Sequence, residues 1–169
     1  MLPPHSKESE MMVLGCMLTN DNSLGIAAEA LEENDFYLTE HKIIFQSLKT
    51  AYNNDEYADV HLIAEDLKRQ NKLGIAGGVF YLTTLAQYAG TSAYIEEYCD
   101  IIKSKSILRR MVSAAQVIEK NALEDPQDVH TCLDAAQQLF FQAVLKVAGG
   151  DKLALGAGQG RGVDAKSHG

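Results

Sequence analysis

The stretch SAYIEEYCDIIKSKSILRRMVSAAQVIEKNALEDPQDVHTCLDAAQQLFFQAV, residues 92–144, decides the fold. In its first part apolar side chains recur every three or four residues, from Ile95 and Ile102 to Leu108 and Val112. This spacing predicts one long amphipathic helix that Ser92 caps and that ends near residue 121. Its length would be about 45 Å, at roughly 1.5 Å per residue.

A second helix follows after a very short connection. Asp125-Pro126 with Asp128 is typical of a helix start, since Asp125 can cap the helix, proline fits the first helical position and Asp128 places a carboxylate in the first turn. Val129, Leu133 and Phe140 then share one face. A connection of about four residues forces the two helices to fold back on each other. The sequence therefore predicts a long antiparallel helical hairpin over residues 91–148.

Two long helices that touch only each other leave apolar side chains uncovered. The simplest cover is the same hairpin of a second copy, in a two-fold interface. The candidates for this hairpin or oligomer interface are Ile95, Ile102, Leu108, Val112, Leu133, Leu139 and Phe140.

Residues 1–90 predict a compact head of short helices. Ser6, Thr39 and Asp59 each precede an apolar stripe at helical spacing and are candidate N-caps. The chain has only three prolines, and no segment alternates apolar and polar residues as a strand would. The predicted fold class is all-α. The Gly-rich segment 149–169 predicts a flexible tail that cannot bury a core and that we interpret as non-native.

Composition excludes several classes of function. A net charge of −8 argues against direct, strong DNA binding and against an anionic membrane surface. Three widely spaced cysteines suggest neither disulfides nor a zinc site, and a cytoplasmic location fits them. No apolar run is long enough to cross a bilayer.

The sequence offers little for catalysis. No Gly-Lys pair occurs, so there is no phosphate-binding P-loop, and we predict no catalytic residue, no metal ligand and no cofactor in this chain. His61 and Glu65 share a helix face and could ligate a metal, but we favour the simpler interpretation of a capped helix start followed by a solvated face. One basic cluster lies in the middle of the long helix and is a candidate for binding an acidic partner: Lys103, Lys105, Arg109 and Arg110.

The order of motifs resembles one known family. Pro4-His5-Ser6 with Glu8, Glu10 and Val13-Leu14-Gly15 is similar to the start of the bacterial replicative DNA helicases, the DnaB family. Further matches are Asp35-Phe36-Tyr37 with His41, Ile44 and Phe45, then Gly77-Gly78 with Tyr81 and Leu82, and then the Asp125 to Phe140 helix. We interpret the residues of this signature, Asp35, Phe36, Tyr37, His41, Ile44, Phe45, Gly77 and Gly78, as serving packing and tight turns.

The resemblance implies that the chain is the N-terminal collar domain of a hexameric helicase. In that family the hairpins pair, the collar docks the helicase-binding domain of primase, and a separate RecA-like domain uses ATP and Mg to unwind DNA 5′→3′ at the bacterial replication fork. The family's catalytic lysine, metal-binding carboxylate and arginine finger match no residue here. We therefore expect no ATPase activity from this chain.

Two other readings stay open at this point. One is a stand-alone helical adaptor or regulator of replication without an ATPase domain. The other is a small metal-dependent hydrolase that uses His41, His61 and acidic neighbours.

Overall fold

A computed structural model of the protein describes residues 1–147, and all regular structure in that range is helical, which confirms the all-α prediction. The helices are α1 Lys7–Thr19, α2 Asp21–Ala30, α3 Thr39–Asn53, α4 Val60–Arg69, α5 Gly78–Tyr88, α6 Ile95–Leu123 and α7 Val129–Val147. Short 3₁₀ turns occur at Glu33–Asp35 and Ser92–Tyr94. The predicted tail, 149–169, lies outside the described residues.

Helix starts follow the predicted caps at two of the early helices. The Ser6 side chain accepts a hydrogen bond from the Ser9 backbone N–H, and the Asp59 carboxylate accepts one from the Leu62 N–H at 2.8 Å. The prediction for Thr39 is wrong by one residue. Leu38 occupies the cap position with extended backbone, and Thr39 is already helical.

The predicted starts of the last two helices are also wrong. Thr91, rather than Ser92, caps the 3₁₀ turn that leads into α6. Asp125 has a left-handed backbone (φ 54°) and its N–H donates to the Ala122 carbonyl, so it closes α6 instead of opening α7. The carboxylate that caps α7 is Asp128, which accepts hydrogen bonds from the backbone N–H groups of His130 and Thr131. An N-cap needs extended backbone, and a left-handed residue cannot supply it.

The described chain forms two compact units, the first comprising Met1–Ser106 and the second beginning at Ile107. The first unit therefore includes the opening turns of α6, which the sequence assigned to the hairpin. Its core is built on α1, whose residues Val13 and Leu14 are fully buried, with Leu82 and Leu85 of α5 buried against it. The second unit contains the rest of α6 and α7, the antiparallel hairpin.

The contact between α1 and α5 depends on Gly15. A Cβ at this position would lie 2.2 Å from the Leu85 carbonyl oxygen and 2.8 Å from the Ala89 Cβ. Only a residue without a side chain lets the two helices approach this closely.

Candidate functional site

The hairpin of the second unit has no sealed core of its own. Among the described side chains at positions 107–145, none is fully buried, although many are apolar. The half-buried positions form one stripe on each helix, as two packed helices require. On α6 they include Ile107, Ala114 and Ile118, and on α7 they include Ala136 and Leu139.

A second apolar stripe on each helix is exposed. On α6 it consists of Leu108, Met111 and Val112, and on α7 it consists of Val129, Leu133 and Phe140. At about 100° per residue, the exposed stripe is centred roughly 90° from the half-buried one on α6 and roughly 70° from it on α7, in the direction of increasing residue number. Because the helices are antiparallel, the same rotational sense brings both stripes to one side. We call these six residues the hairpin face.

The interface candidates from the sequence are divided between the two units. Leu108, Val112, Leu133 and Phe140 are exposed on the hairpin face, and Leu139 is half-buried.

The inclusion of Ile95 and Ile102 is corrected by the structure. Their exposed fractions are 4% and 1%, and both belong to the hydrophobic core of the first unit. The periodicity that marked them is real, but the chain's own head covers them.

The basic cluster on α6 is also divided. The Lys103 ammonium lies 3.1 Å from an Oδ atom of Asp35, whose side chain is fully buried. This lysine therefore compensates an internal charge, which explains its position without a partner, and its assignment as a partner-binding residue stays a prediction. Lys105, Arg109 and Arg110 are half-buried.

Asp35 is the centre of a buried polar anchor. Its carboxylate accepts hydrogen bonds from the Ser106 hydroxyl at 2.8 Å, the Lys103 ammonium and the Glu32 backbone N–H at 2.8 Å. A buried carboxylate is costly unless donors surround it. The anchor therefore fixes the 3₁₀ turn at Glu33–Asp35 against the first turns of α6.

A second buried network joins three helices. The Glu10 carboxylate of α1 accepts hydrogen bonds from the backbone N–H groups of Tyr37 (2.8 Å) and Leu38 (3.4 Å). Its Oε1 lies 2.7 Å from Nδ1 of His41 in α3, and Nε2 of that ring lies 2.6 Å from the Tyr81 hydroxyl of α5. A carboxylate only accepts, so Nδ1 carries the proton and donates. Burial, with the nearby charges of Glu40 and Glu10, raises the pKa of Tyr81 to about 12.

This network gives His41 a structural role. The ring is 0% exposed and both nitrogens have partners. His61, its proposed companion in a hydrolase, is exposed on α4. In the part of the chain that the structure describes, no three metal-ligating side chains come together.

The other signature residues serve packing. Phe36 and Phe45 are fully buried with ring centroids 4.7 Å apart, and Ile44 is fully buried beside them. Tyr37 is half-buried and stacks on the His5 ring at 4.3 Å.

Gly77 and Gly78 have φ values of +102° and +77°. They make the left-handed turn into α5 that glycine allows without steric cost.

Sequence reasoning missed both buried networks. In the sequence Glu10 stands out only as part of the motif that resembles the family's first segment, although it is almost fully buried. An acidic residue among the apolar positions of a helix is the signal that could have indicated a buried, partnered carboxylate.

No helix within residues 1–147 meets the length and hydropathy that a membrane span requires.

Comparisons with known proteins agree with this architecture. Residues 2–104 match the family model described as the DnaB-like helicase N-terminal domain. Over 141 residues the chain is 31% identical to the replicative DNA helicase DnaC of Bacillus subtilis and 32% identical to DnaB of Geobacillus stearothermophilus. Each match covers 83% of this chain and 31% of the relative, so the chain spans about a third of the length of these helicases.

Two solved structures share the fold. The crystal structure of the N-terminal domain of DnaB helicase from Mycobacterium tuberculosis superposes with a TM-score of 0.79 at 30% identity, covering 83% of this chain and 99% of that one. A DnaB-like replicative helicase, described with its interactions with primase, superposes with a TM-score of 0.65 at 21% identity, covering 89% of this chain and 33% of that one. The latter likeness concerns the fold alone.

The fold is an all-helical domain in which a head of short helices is followed by a hairpin with an exposed apolar face. The family match is equally definite. The chain belongs to the DnaB family of replicative helicases, and the part that matches is the family's N-terminal domain.

Proposed function

We propose that this chain acts as a collar domain of a hexameric replicative helicase at the bacterial replication fork, in the cytoplasm. Its hairpin face pairs with that of a second copy, and the domain docks the helicase-binding domain of primase. The whole protein would unwind DNA with ATP and Mg, in steps that no residue of this chain performs.

The observation that carries the proposal is the hairpin face. Leu108, Met111, Leu133 and Phe140 are all large, apolar and exposed on one side of a hairpin, and none of the hairpin's described side chains (107–145) is fully buried. An apolar patch of this kind marks an interaction site. A two-fold axis across the face would lay each hairpin on its copy and form a four-helix bundle.

Family membership supports the docking of primase. The helicase whose fold matches at 21% identity is described with its interactions with primase. We extend that interaction to this chain as part of the proposal.

Sedimentation equilibrium tests the pairing. We expect the unmodified chain to be a dimer or larger at micromolar concentration. Leu108→Asp and Leu133→Asp should shift it to monomer, because a buried carboxylate without a partner is strongly unfavourable. Val117→Asp is the matched control, since Val117 is similarly exposed but lies on the opposite side of α6 from the hairpin face. A chain that stays monomeric at high micromolar concentration would contradict the pairing.

A pull-down with the C-terminal domain of the cognate primase tests the docking. We expect the unmodified chain and the Val117→Asp variant to retain this domain equally. Failure of both, with their helical content intact, would refute the docking while leaving the pairing untouched.

A further inference from the structure

The first unit has an apolar surface around α4 that the proposed function does not use. Tyr57 is 83% exposed and Val79 is 50% exposed, and Leu62 is also exposed. Two grooves border the amino-terminal half of α4 and share Glu65. One, of about 450 Å³, has Leu18 and Ala64 among its walls and Val79 at its edge. The other, of about 200 Å³, is lined by Tyr57 and Leu62.

The charges around these grooves have one prevailing sign. Glu56, Asp59 and Glu65 are exposed acidic side chains that line one groove or both. Among the described residues that line them, the cation is Arg69, and its guanidinium is 3.1 Å from the Asp66 carboxylate. We call Tyr57, Leu62, Val79, Glu56, Asp59 and Glu65 together the acidic α4 face. Lys68 follows one turn beyond it on α4.

We propose that the acidic α4 face is a docking site for a basic amphipathic segment of another protein. A bulky apolar side chain of that segment would enter the groove beside Val79, above Leu18 and Ala64. Lysine or arginine side chains flanking it would lie against Glu65 and Asp59. Charge complementarity decides the occupant, because an acidic rim repels an acidic segment and speeds the approach of a basic one.

The Asp59 carboxylate is already held by the Leu62 backbone N–H at 2.8 Å, so it is fixed in place at the rim. Glu65 is six residues, about one and two-thirds turns, further along the helix. Both carboxylates are therefore carried by one helix, so a peptide can meet them without ordering the backbone of the receptor.

Titration of the ¹⁵N-labelled chain with three synthetic peptides of 14 residues tests the inference. The first peptide has leucine on one helical face and lysine on the other. The second replaces every lysine with glutamate, and the third replaces every leucine with serine. We expect the first peptide to shift backbone amide resonances within residues 56–69 and 77–81, and the other two to shift none. Shifts centred elsewhere, or equal shifts with all three peptides, would overturn the proposal.

Two variants and a control separate the groove from general charge attraction. Glu65→Lys and Val79→Asp should each weaken binding of the leucine–lysine peptide about tenfold. Glu97→Lys, which makes the same charge change at an exposed site on α6, should leave it within about twofold. Equal losses in Glu65→Lys and Glu97→Lys would reduce the effect to net charge and refute the site. A thermal melt checks that each variant is folded.

This inference does not rest on the proposed function. Leu108→Asp should abolish pairing of copies but leave peptide binding unchanged. If Val79→Asp instead abolished self-association, the acidic α4 face would be a contact between copies, and the proposal of a basic partner would be wrong.

Discussion

Replacing Gly15 by alanine tests the close contact between α1 and α5 by adding one methyl group to it. The new Cβ would be 2.2 Å from the Leu85 carbonyl oxygen, about 1 Å inside ordinary contact distance. The obstacle is backbone, so no change of rotamer can relieve it. Either α1 and α5 separate, or the methyl group stays under compression.

The magnitude follows from two opposing effects. Overpacking of a well-packed contact costs about 1–3 kcal/mol, and a clash with backbone belongs at the upper end. Alanine in place of glycine inside a helix also stabilises the folded protein by about 1 kcal/mol, because alanine has the higher helix propensity. We therefore expect Gly15→Ala to lower the free energy of unfolding by about 2 kcal/mol. In a chain of 169 residues that is a fall in Tm of roughly 4–8 °C.

Gly25→Ala is the matched control, because Gly25 is also inside a helix. Its Cβ would meet the edge of the Tyr52 ring at 3.2 Å, and a side chain can move by the few tenths of an ångström required. This variant should be unchanged or more stable by up to about 1 kcal/mol. Far-ultraviolet circular dichroism melts at one fixed chain concentration provide the comparison. If Gly15→Ala were as stable as Gly25→Ala, the close approach of α1 and α5 would be wrong.

Three further predictions concern the buried groups of the first unit. Glu10→Gln should lower the free energy of unfolding by about 2–4 kcal/mol in urea titrations, because an amide NH₂ cannot accept all the hydrogen bonds of the carboxylate. The exposed control Glu8→Gln should change the free energy of unfolding by less than about 0.5 kcal/mol. Equal effects of the two variants would contradict the buried network around Glu10. Ellman's reagent should label Cys132 quickly in the folded chain and Cys99 only after unfolding, since burial raises the pKa of the Cys99 thiol to about 12, and rapid labelling of Cys99 would refute its burial. Stability should fall as the pH rises from about 9 to 12, because Cys99 and Tyr81 hold their protons more tightly in the folded chain than in the unfolded one. A Tyr81→Phe variant should lose part of this pH dependence. An alkaline profile that Tyr81→Phe leaves unchanged would contradict the contribution of Tyr81.

The helices were predictable from sequence because each carries its own signal. Apolar periodicity and a capping side chain act over a few residues, and Ser6 and Asp59 cap as predicted. The start of α7 was misplaced because Asp125 and Asp128 both suit a cap. The choice depends on which residue takes the left-handed backbone that ends α6, and the sequence pattern does not specify it.

The buried networks were not predictable, since their partners are distant in sequence. Glu10 meets His41, and Asp35 meets Lys103 and Ser106, only after the helices have packed. Composition shows a charged residue but not the donors that compensate it. The same limit applies to Ile95, because periodicity indicates an apolar side and not what covers it.

The apolar stripe of α6 is buried in the first part of the helix and exposed in the second part. Up to Ser106 the head covers it, and Ile102 is fully buried there. Beyond Ser106 Leu108 and Met111 are exposed, although the spacing of apolar residues continues. Burial of an apolar side chain is favourable wherever a matching surface exists, so a partner that covered the second half would have to be about as apolar as the head. The hairpin face of another copy meets this requirement, because it presents Leu133 and Phe140 on the same side as Leu108.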